Sequence, residues 1–206
     1  MKTFNNVFEL DTSLKGLWHA NYFKNDNPIV LELGCGRGEY TVGMAQMFPE
    51  KNFIGVDIKG SRIWRGAKTA FEEEMPNVAF LRCQIDHIME YFGENEVSEI
   101  WITFPDPQPQ ESREKKRLTH PRFLAKYKEI LPDGAFINLK TDSQELHAWT
   151  VEMLKEQGHK IEFFTDDLYA SAMKDDPLLN IKTTYESRFL AEGKKITYVR
   201  FQMRDA

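Results

Sequence analysis

Cysteine is almost absent: Cys35 and Cys83 are the only two in 206 residues, too few and too far apart for a disulfide framework or a metal cluster. Both read as small buried thiols. No run approaches the roughly 18 to 20 consecutive apolar residues of a membrane span. The opening Met1-Lys2-Thr3-Phe4 leads into polar residues where a secretory signal would need an apolar stretch. A cytoplasmic protein with neither membrane nor metal partners is expected. Low-complexity tracts, linkers and internal repeats are missing too. With 41% hydrophobic and 13% aromatic residues the chain is neither disordered nor fibrous. Positive charge is in short supply, with 27 Lys and Arg against 32 Asp and Glu, which argues against non-specific coating of nucleic acid. The exception is 111–128, where Arg113, Lys115, Lys116, Arg117, Arg122, Lys126 and Lys128 face only Glu111 and Glu114. Such a run is either a solvated face or an anion-binding one, and its place in the fold decides.

What is present is a rhythm. Short apolar, β-rich runs at 29–33, 52–57, 78–82, 99–104 and 135–140 alternate with amphipathic segments, of which 61–74, 121–130 and 143–156 carry helix start and stop signals. That pattern predicts an α/β fold, a mostly parallel sheet of about seven strands with helices on both faces. Segments 160–164 and 196–203 supply two further strands, the last antiparallel. Residues 28–206 read as a single domain, and residues 1–27, polar and aromatic without clear period, as an arm or lid.

The first strand runs into Glu32-Leu33-Gly34-Cys35-Gly36-Arg37-Gly38. Gly34, Gly36 and Gly38 let a ligand lie against the backbone at a strand's carboxyl end, where open α/β sheets bind nucleotides. The spacing is not the Gly-x-Gly-x-x-Gly of dinucleotide enzymes and favours a ligand without a pyrophosphate, S-adenosylmethionine above all. Asp57 closes the second strand, 23 residues after Gly34. An acid there can accept hydrogen bonds from both ribose hydroxyls; as a helix N-cap it would be merely structural. Glu32 is placed to face the methionyl amino group, and Gln84 and Ile85 occupy the edge where adenine is read. Loop, acid and rhythm together resemble the class I S-adenosylmethionine-dependent methyltransferases, with a Rossmann-like fold and an antiparallel edge strand.

The fourth strand ends in Phe104-Pro105-Asp106-Pro107-Gln108-Pro109, a carboxylate stiffened by three prolines at the cofactor's reactive end. The basic run follows at once, so positive charge borders the expected site. Read with Lys116-Arg117-Leu118-Thr119, Phe123-Leu124, Lys140-Thr141-Asp142, and Thr183, Tyr185, Glu186, Arg188, Phe189 and Gly193, the loop is similar to that of the bacterial tRNA (guanine-N7-)-methyltransferases. The resemblance spans nearly all of the chain after residue 28. It implies tRNA as substrate with a variable-loop guanine as target, the loop carboxylate Asp106 as a catalytic residue, and a guanine site lined by Asp142 and the Thr183 to Glu186 stretch. Gln110, Arg113, Lys115, Lys116, Arg117 and Arg188 join the substrate side. Taken singly, Asp142 could instead be an N-cap and Tyr185 a core aromatic. Where the family usually has Pro-Asp-Pro-Trp-Pro-Lys, this chain has Gln108 and Gln110. The rival readings are an exocyclic-amine methyltransferase, a nicotinamide oxidoreductase and a tRNA-binding module without activity. Monomer and homodimer are both open.

Overall fold

The computed structural model describes residues 4–204. In chain order the regular elements are β1 (Val7–Glu9), β2 (Ile29–Leu33), α1 (Glu39–Met47), β3 (Asn52–Asp57), α2 (Gly60–Glu72), β4 (Val78–Arg82), β5 (Glu99–Thr103), α3 (Pro121–Lys128), β6 (Phe136–Thr141), α4 (Gln144–Glu156), β7 (Lys160–Thr165), α5 (Thr184–Ala191) and β8 (Thr197–Gln202). The eight strands form one sheet in the order β1-β4-β3-β2-β5-β6-β8-β7. β1 to β6 pair in parallel, whereas β8 runs antiparallel between β6 and β7.

The central strands are buried along their whole length because helices cover both faces, which is why they read as continuous apolar runs. β7, at the edge, alternates instead. One core packs Leu31, Ile54 and Ile100 against α3 and α4; the other packs Val30, Phe53 and Phe80 against α1 and α2.

The sheet's eighth strand comes from the N-terminal segment. Val7, Phe8 and Glu9 pair with Phe80, Leu81 and Arg82 of β4. A π-helical turn at Trp18–Phe23 follows. Trp18 is fully buried, stacks on Phe92 with centroids 5.5 Å apart, and donates its indole N–H to the Tyr91 carbonyl at 2.9 Å. A three-residue strand and a π-helical turn leave neither a period of 2 nor one of 3.6 for a sequence reading to find.

Order reverses at β2, which has β3 on one side and β5 on the other. Open α/β sheets bind their ligands at the carboxyl ends of strands around such a switch point.

Candidate active site

A cleft of about 860 Å³ opens there, a size that suits a nucleoside-containing ligand. From the β2 and β3 side Glu32, Gly34, Gly36 and Asp57 line it; Gln84 and Ile85 come from the turn after β4. Asp106, Lys116, Asp142, Thr183 and Tyr185 approach from the β5, β6 and α5 side. Residues spread over more than 150 positions are thus brought together.

The three loop glycines have different tasks. All have positive φ, at 77° for Gly34, 55° for Gly36 and 72° for Gly38, where side chains are strained. A Cβ on Gly36 would meet nothing within 4 Å, so this backbone is bare toward the cleft. A Cβ on Gly38 would fall 2.5 Å from the Phe80 ring and 3.1 Å from the Gly66 Cα. Gly38 therefore serves the close approach of α1 to α2, and it lies outside the cleft lining.

Asp57 does not cap a helix: Lys59 holds the N-cap position of α2. Its Oδ2 accepts the Gly36 N–H at 2.9 Å and its Oδ1 the Lys59 N–H at 2.8 Å, which fixes the carboxylate and leaves a lone pair on each oxygen. Glu32 is buried beneath the loop. It accepts from the Thr41 N–H at 2.8 Å and from the hydroxyls of Thr41 and Thr103. Burial pushes its carboxyl up to about 7, with the charge of Asp57 adding to the rise and the Thr103 and Thr41 hydrogen bonds opposing it. Cys35 and Cys83 line the same cleft, but burial pushes both thiols up, Cys83 to about 12, so neither is a nucleophile.

The raised Glu32 predicts a pH dependence. Between about pH 4.5 and 7 the folded chain holds a proton on Glu32 that the unfolded chain releases, so stability falls as pH rises through this window. At about 1.4 kcal/mol for each pH unit crossed, the loss is of order 3 kcal/mol. Urea unfolding at pH 5 and pH 8 should show this component in the parent and lose it in Glu32→Gln. An identical pH slope in both would refute it.

The Pro105-Asp106-Pro107 loop is strained and pinned. Phe104 and Gln108, neither of them glycine, sit at φ of 47° and 46°, a conformation costing about 1 to 3 kcal/mol each. β5 accordingly stops at Thr103 where the sequence pattern predicts one residue more. The Phe104 N–H donates to the Lys140 carbonyl at 2.8 Å, and the Gln108 N–H to Asp106 Oδ1 at 3.2 Å. At the far end the Gln108 carbonyl accepts from Arg117 Nε and one terminal nitrogen, both at 3.3 Å. Asp106 stands exposed between these anchors.

Arg117 and Glu186 differ from their expected roles as substrate contacts. Arg117 is buried, its guanidinium 4.6 Å from the Trp149 ring and ion-paired with Glu114 and Glu145, so it faces the loop and not solvent. Glu186 is fully buried, 2.8 Å from the Lys140 ammonium and 2.6 Å from the Tyr169 hydroxyl. Arg113, Lys115 and Lys116 are exposed, as is Gln110. Arg188 is exposed too and donates to Glu192 at 2.8 Å. Asp142 is not an N-cap, a place taken by Ser143, and lies 3.2 Å from Lys194. Thr183 does cap α5, accepting the Glu186 N–H at 3.1 Å, and Tyr185 is 42% exposed instead of a core aromatic.

Sequence reasoning passed over Thr103, Lys59 and Arg62 in the lining. Lys140, read only as part of the Lys140-Thr141-Asp142 motif, carried a clearer signal: a Lys inside the largely apolar strand Phe136–Thr141 requires a buried partner. Among the described residues no group of three or more His, Cys, Asp or Glu could hold a metal ion.

Comparison with known proteins agrees with this geometry. A family model described as "Putative methyltransferase" matches residues 26–199. The tRNA (guanine-N(7)-)-methyltransferase of Christiangramia forsetii is 53% identical, over 97% of this chain and 87% of its own length. That of Bacteroides fragilis is 50% identical, over 98% of this chain and 82% of its own. In fold alone, the chain is similar to a 16S rRNA (adenine(1408)-N(1))-methyltransferase of Catenulisporales acidiphilia solved with its cosubstrate SAM. There the TM-score is 0.61 at 13% identity, over 96% of this chain and 93% of that one. The chain belongs to the tRNA (guanine-N(7)-)-methyltransferase family.

Proposed function

We propose that the protein transfers a methyl group from S-adenosylmethionine to N7 of a guanine in tRNA, with the target in the variable loop. The observation that carries this reading is one cleft in which Asp57 and Glu32 meet the pinned Asp106 loop and Asp142. Bound there, the cofactor supplies an electrophilic sulfonium methyl. Asp57 has one lone pair free on each oxygen for the two ribose hydroxyls. Glu32 faces the amino group, whose positive charge favours the ionised carboxylate. The bare backbone at Gly36 lets the ligand lie close, and Gln84 and Ile85 border the adenine.

Guanine N7 presents an in-plane lone pair and carries no proton, so no side chain has to act as a base. Alignment is what the chain contributes. Asp106 accepts a hydrogen bond from the N1 or N2 hydrogens of the guanine and offsets the positive charge that the new N–C bond leaves on the purine. Asp142 shares that donor edge, and Thr183 and Tyr185 shape the pocket wall. The base must leave its stack to reach the cleft. Arg113, Lys115 and Lys116 hold phosphates beside it, with Gln110 and Arg188 as further RNA contacts. Such a protein works in the cytoplasm; among the described residues no helix is long and apolar enough to cross a membrane.

Incubation with methyl-labelled S-adenosylmethionine and bulk tRNA, followed by digestion to nucleosides, should give labelled 7-methylguanosine. A different labelled nucleoside, or label on an exocyclic amine, would overturn the assignment.

A further inference from the structure

Helix α2 carries charge in an unusual order. From Lys59 to Phe71 there are four cations, Lys59, Arg62, Arg65 and Lys68, and no acid, after which Glu72, Glu73 and Glu74 follow in a row. Cations at the start of a helix and acids at its end both oppose the macrodipole, so this arrangement costs stability in the free protein. Lys68 is spoken for, pairing with Glu72 at 3.5 Å. Lys59, Arg62 and Arg65 form no ion pair among the described residues.

Between these cations stands Trp64, 44% exposed although Phe4 packs on it with centroids 6.1 Å apart. Its indole N–H has no hydrogen-bond partner among the described residues. Ile58, just before the helix, is 51% exposed. Trp64 lines a shallow groove with Ile58, Lys59, Ser61 and the Arg82–Glu9 ion pair, 3.4 Å long, and this groove shares Ile58 and Lys59 with the active-site cleft. The topology fixes its bearing. α2 follows β3 and the exposed Arg113 to Lys116 segment follows β5, and those two strands flank β2. The two cationic surfaces therefore lie on opposite sides of the glycine loop.

We propose that the first half of α2, through Arg62, Trp64 and Arg65, is a second docking surface for the tRNA substrate, across the cleft from Arg113, Lys115 and Lys116. This rests on the tRNA reading above. An RNA strand that delivers an unstacked guanine to the cleft has phosphates on either side of that nucleotide, and one basic surface meets only one flank. Arg62 and Arg65 take phosphates of the other flank, and the exposed part of Trp64, whose ring already has the Lys68 ammonium 5.6 Å from its centroid, takes an unpaired base or a ribose, the pairing of cations with an exposed aromatic that single-stranded RNA favours. RNA phosphate at this end of the helix also turns the unfavourable charge order into a favourable one. A protein partner fits less well, because the unpaired cations Lys59, Arg62 and Arg65 gather on the first half of α2 and the acids of the helix lie beyond them.

Trp64 and Arg65 stand outside the cofactor cleft, so they can be tested without touching it. The experiment measures direct tRNA binding against salt concentration, tRNA kinetics and cofactor binding in Trp64→Ala/Arg65→Ala, with Trp64→Phe/Arg65→Lys as the conservative control. Loss of one stacked base weakens binding by roughly five- to a hundredfold, and loss of one phosphate contact flattens the slope of log affinity against log salt by about 0.7 to 0.9. The Ala double variant should raise both Kd and KM for tRNA by at least about tenfold, with kcat and S-adenosylmethionine affinity unchanged, while the conservative variant retains near-parental affinity. Equal tRNA affinity and salt slope in parent and Ala variant, both folded, would overturn the proposal. An Ala variant no weaker than the conservative one would overturn it too. The direct binding arm separates the two readings: a parent that makes no 7-methylguanosine defeats the assigned activity, whereas this proposal stands or falls on the binding measurements.

Discussion

Asp106→Ala should lower the rate of methyl transfer by roughly two to three orders of magnitude, the usual cost of removing one preorganised group that meets transition-state charge. The dissociation constant for S-adenosylmethionine should stay within about a factor of two. The split follows from where the loop is held. Its anchors run to the Lys140 carbonyl and to Arg117, on the β6 and α3 side, and none runs to the Gly34 to Gly38 loop or to Asp57. The carboxylate is exposed at the tip and makes one internal hydrogen bond, from the Gln108 N–H, so the truncation creates no cavity. Asp106→Asn separates the two jobs assigned to the side chain. If offsetting charge dominates, Asn should be about as slow as Ala; if accepting the guanine hydrogens dominates, Asn should recover much of the rate. Single-turnover kinetics with calorimetric cofactor binding would decide, and a matching loss of cofactor affinity would place Asp106 in the cofactor pocket instead.

The central sheet was legible in the sequence because parallel strands buried on both faces must be continuously apolar and helices between them must be amphipathic. β2, β3 and β4 have the bounds that the pattern predicts. Deviations occur where a local rule yields to a tertiary one. α2 starts at Gly60 behind an N-cap Lys59 with no side-chain cap, although Ser61 offers better capping chemistry. β5 ends early because Phe104 is turned to positive φ to launch the loop. The N-terminal segment was opaque for another reason: its order comes from Trp18, held by Glu96, Tyr91 and Phe92, which lie far away in sequence.

The site was legible as a set of residue types at strand ends, and less so as a set of orientations. Asp57, Glu32, Asp106 and Asp142 lie where the topology of a switch point puts them. Whether a charged side chain in a motif faces the cleft or the core cannot be read from its spacing, however. Lys116 and Arg117 are adjacent, yet one lines the cleft and the other lies buried beside Trp149. Tyr185 and Glu186 divide likewise, since neighbours on a helix point about 100° apart and α5 has one face toward the cleft and one toward Lys140.

That division gives Glu186 the largest expected effect on stability. Lys140 and Glu186 are both fully enclosed, and the ammonium also donates to the Leu179 carbonyl at 2.6 Å and the Ile181 carbonyl at 3.3 Å. Burial lowers the Lys140 pKa, and the charge of Glu186 opposes that change. Removing one partner of such a pair leaves an uncompensated buried charge and typically costs about 3 to 5 kcal/mol. Glu186→Ala should therefore lower Tm by roughly 6 to 20 °C, at about 2 to 4 °C per kcal/mol for a domain of this size. The double variant Lys140→Met/Glu186→Leu should recover most of the loss, because the charge itself is gone. The pH dependence carries the mechanism. In Glu186→Ala the folded chain binds fewer protons at Lys140 than the unfolded chain does, so the deficit should shrink as pH rises from the lowered Lys140 pKa toward about 10. If Glu186 touched guanine instead, Glu186→Gln would depress turnover with a parental Tm and no such pH trend. The ion pair seats the segment that carries Thr183 and Tyr185 into the cleft. Its loss should consequently raise KM for tRNA more than it lowers cofactor affinity, an ordering that calorimetry and initial rates can test on the same preparation.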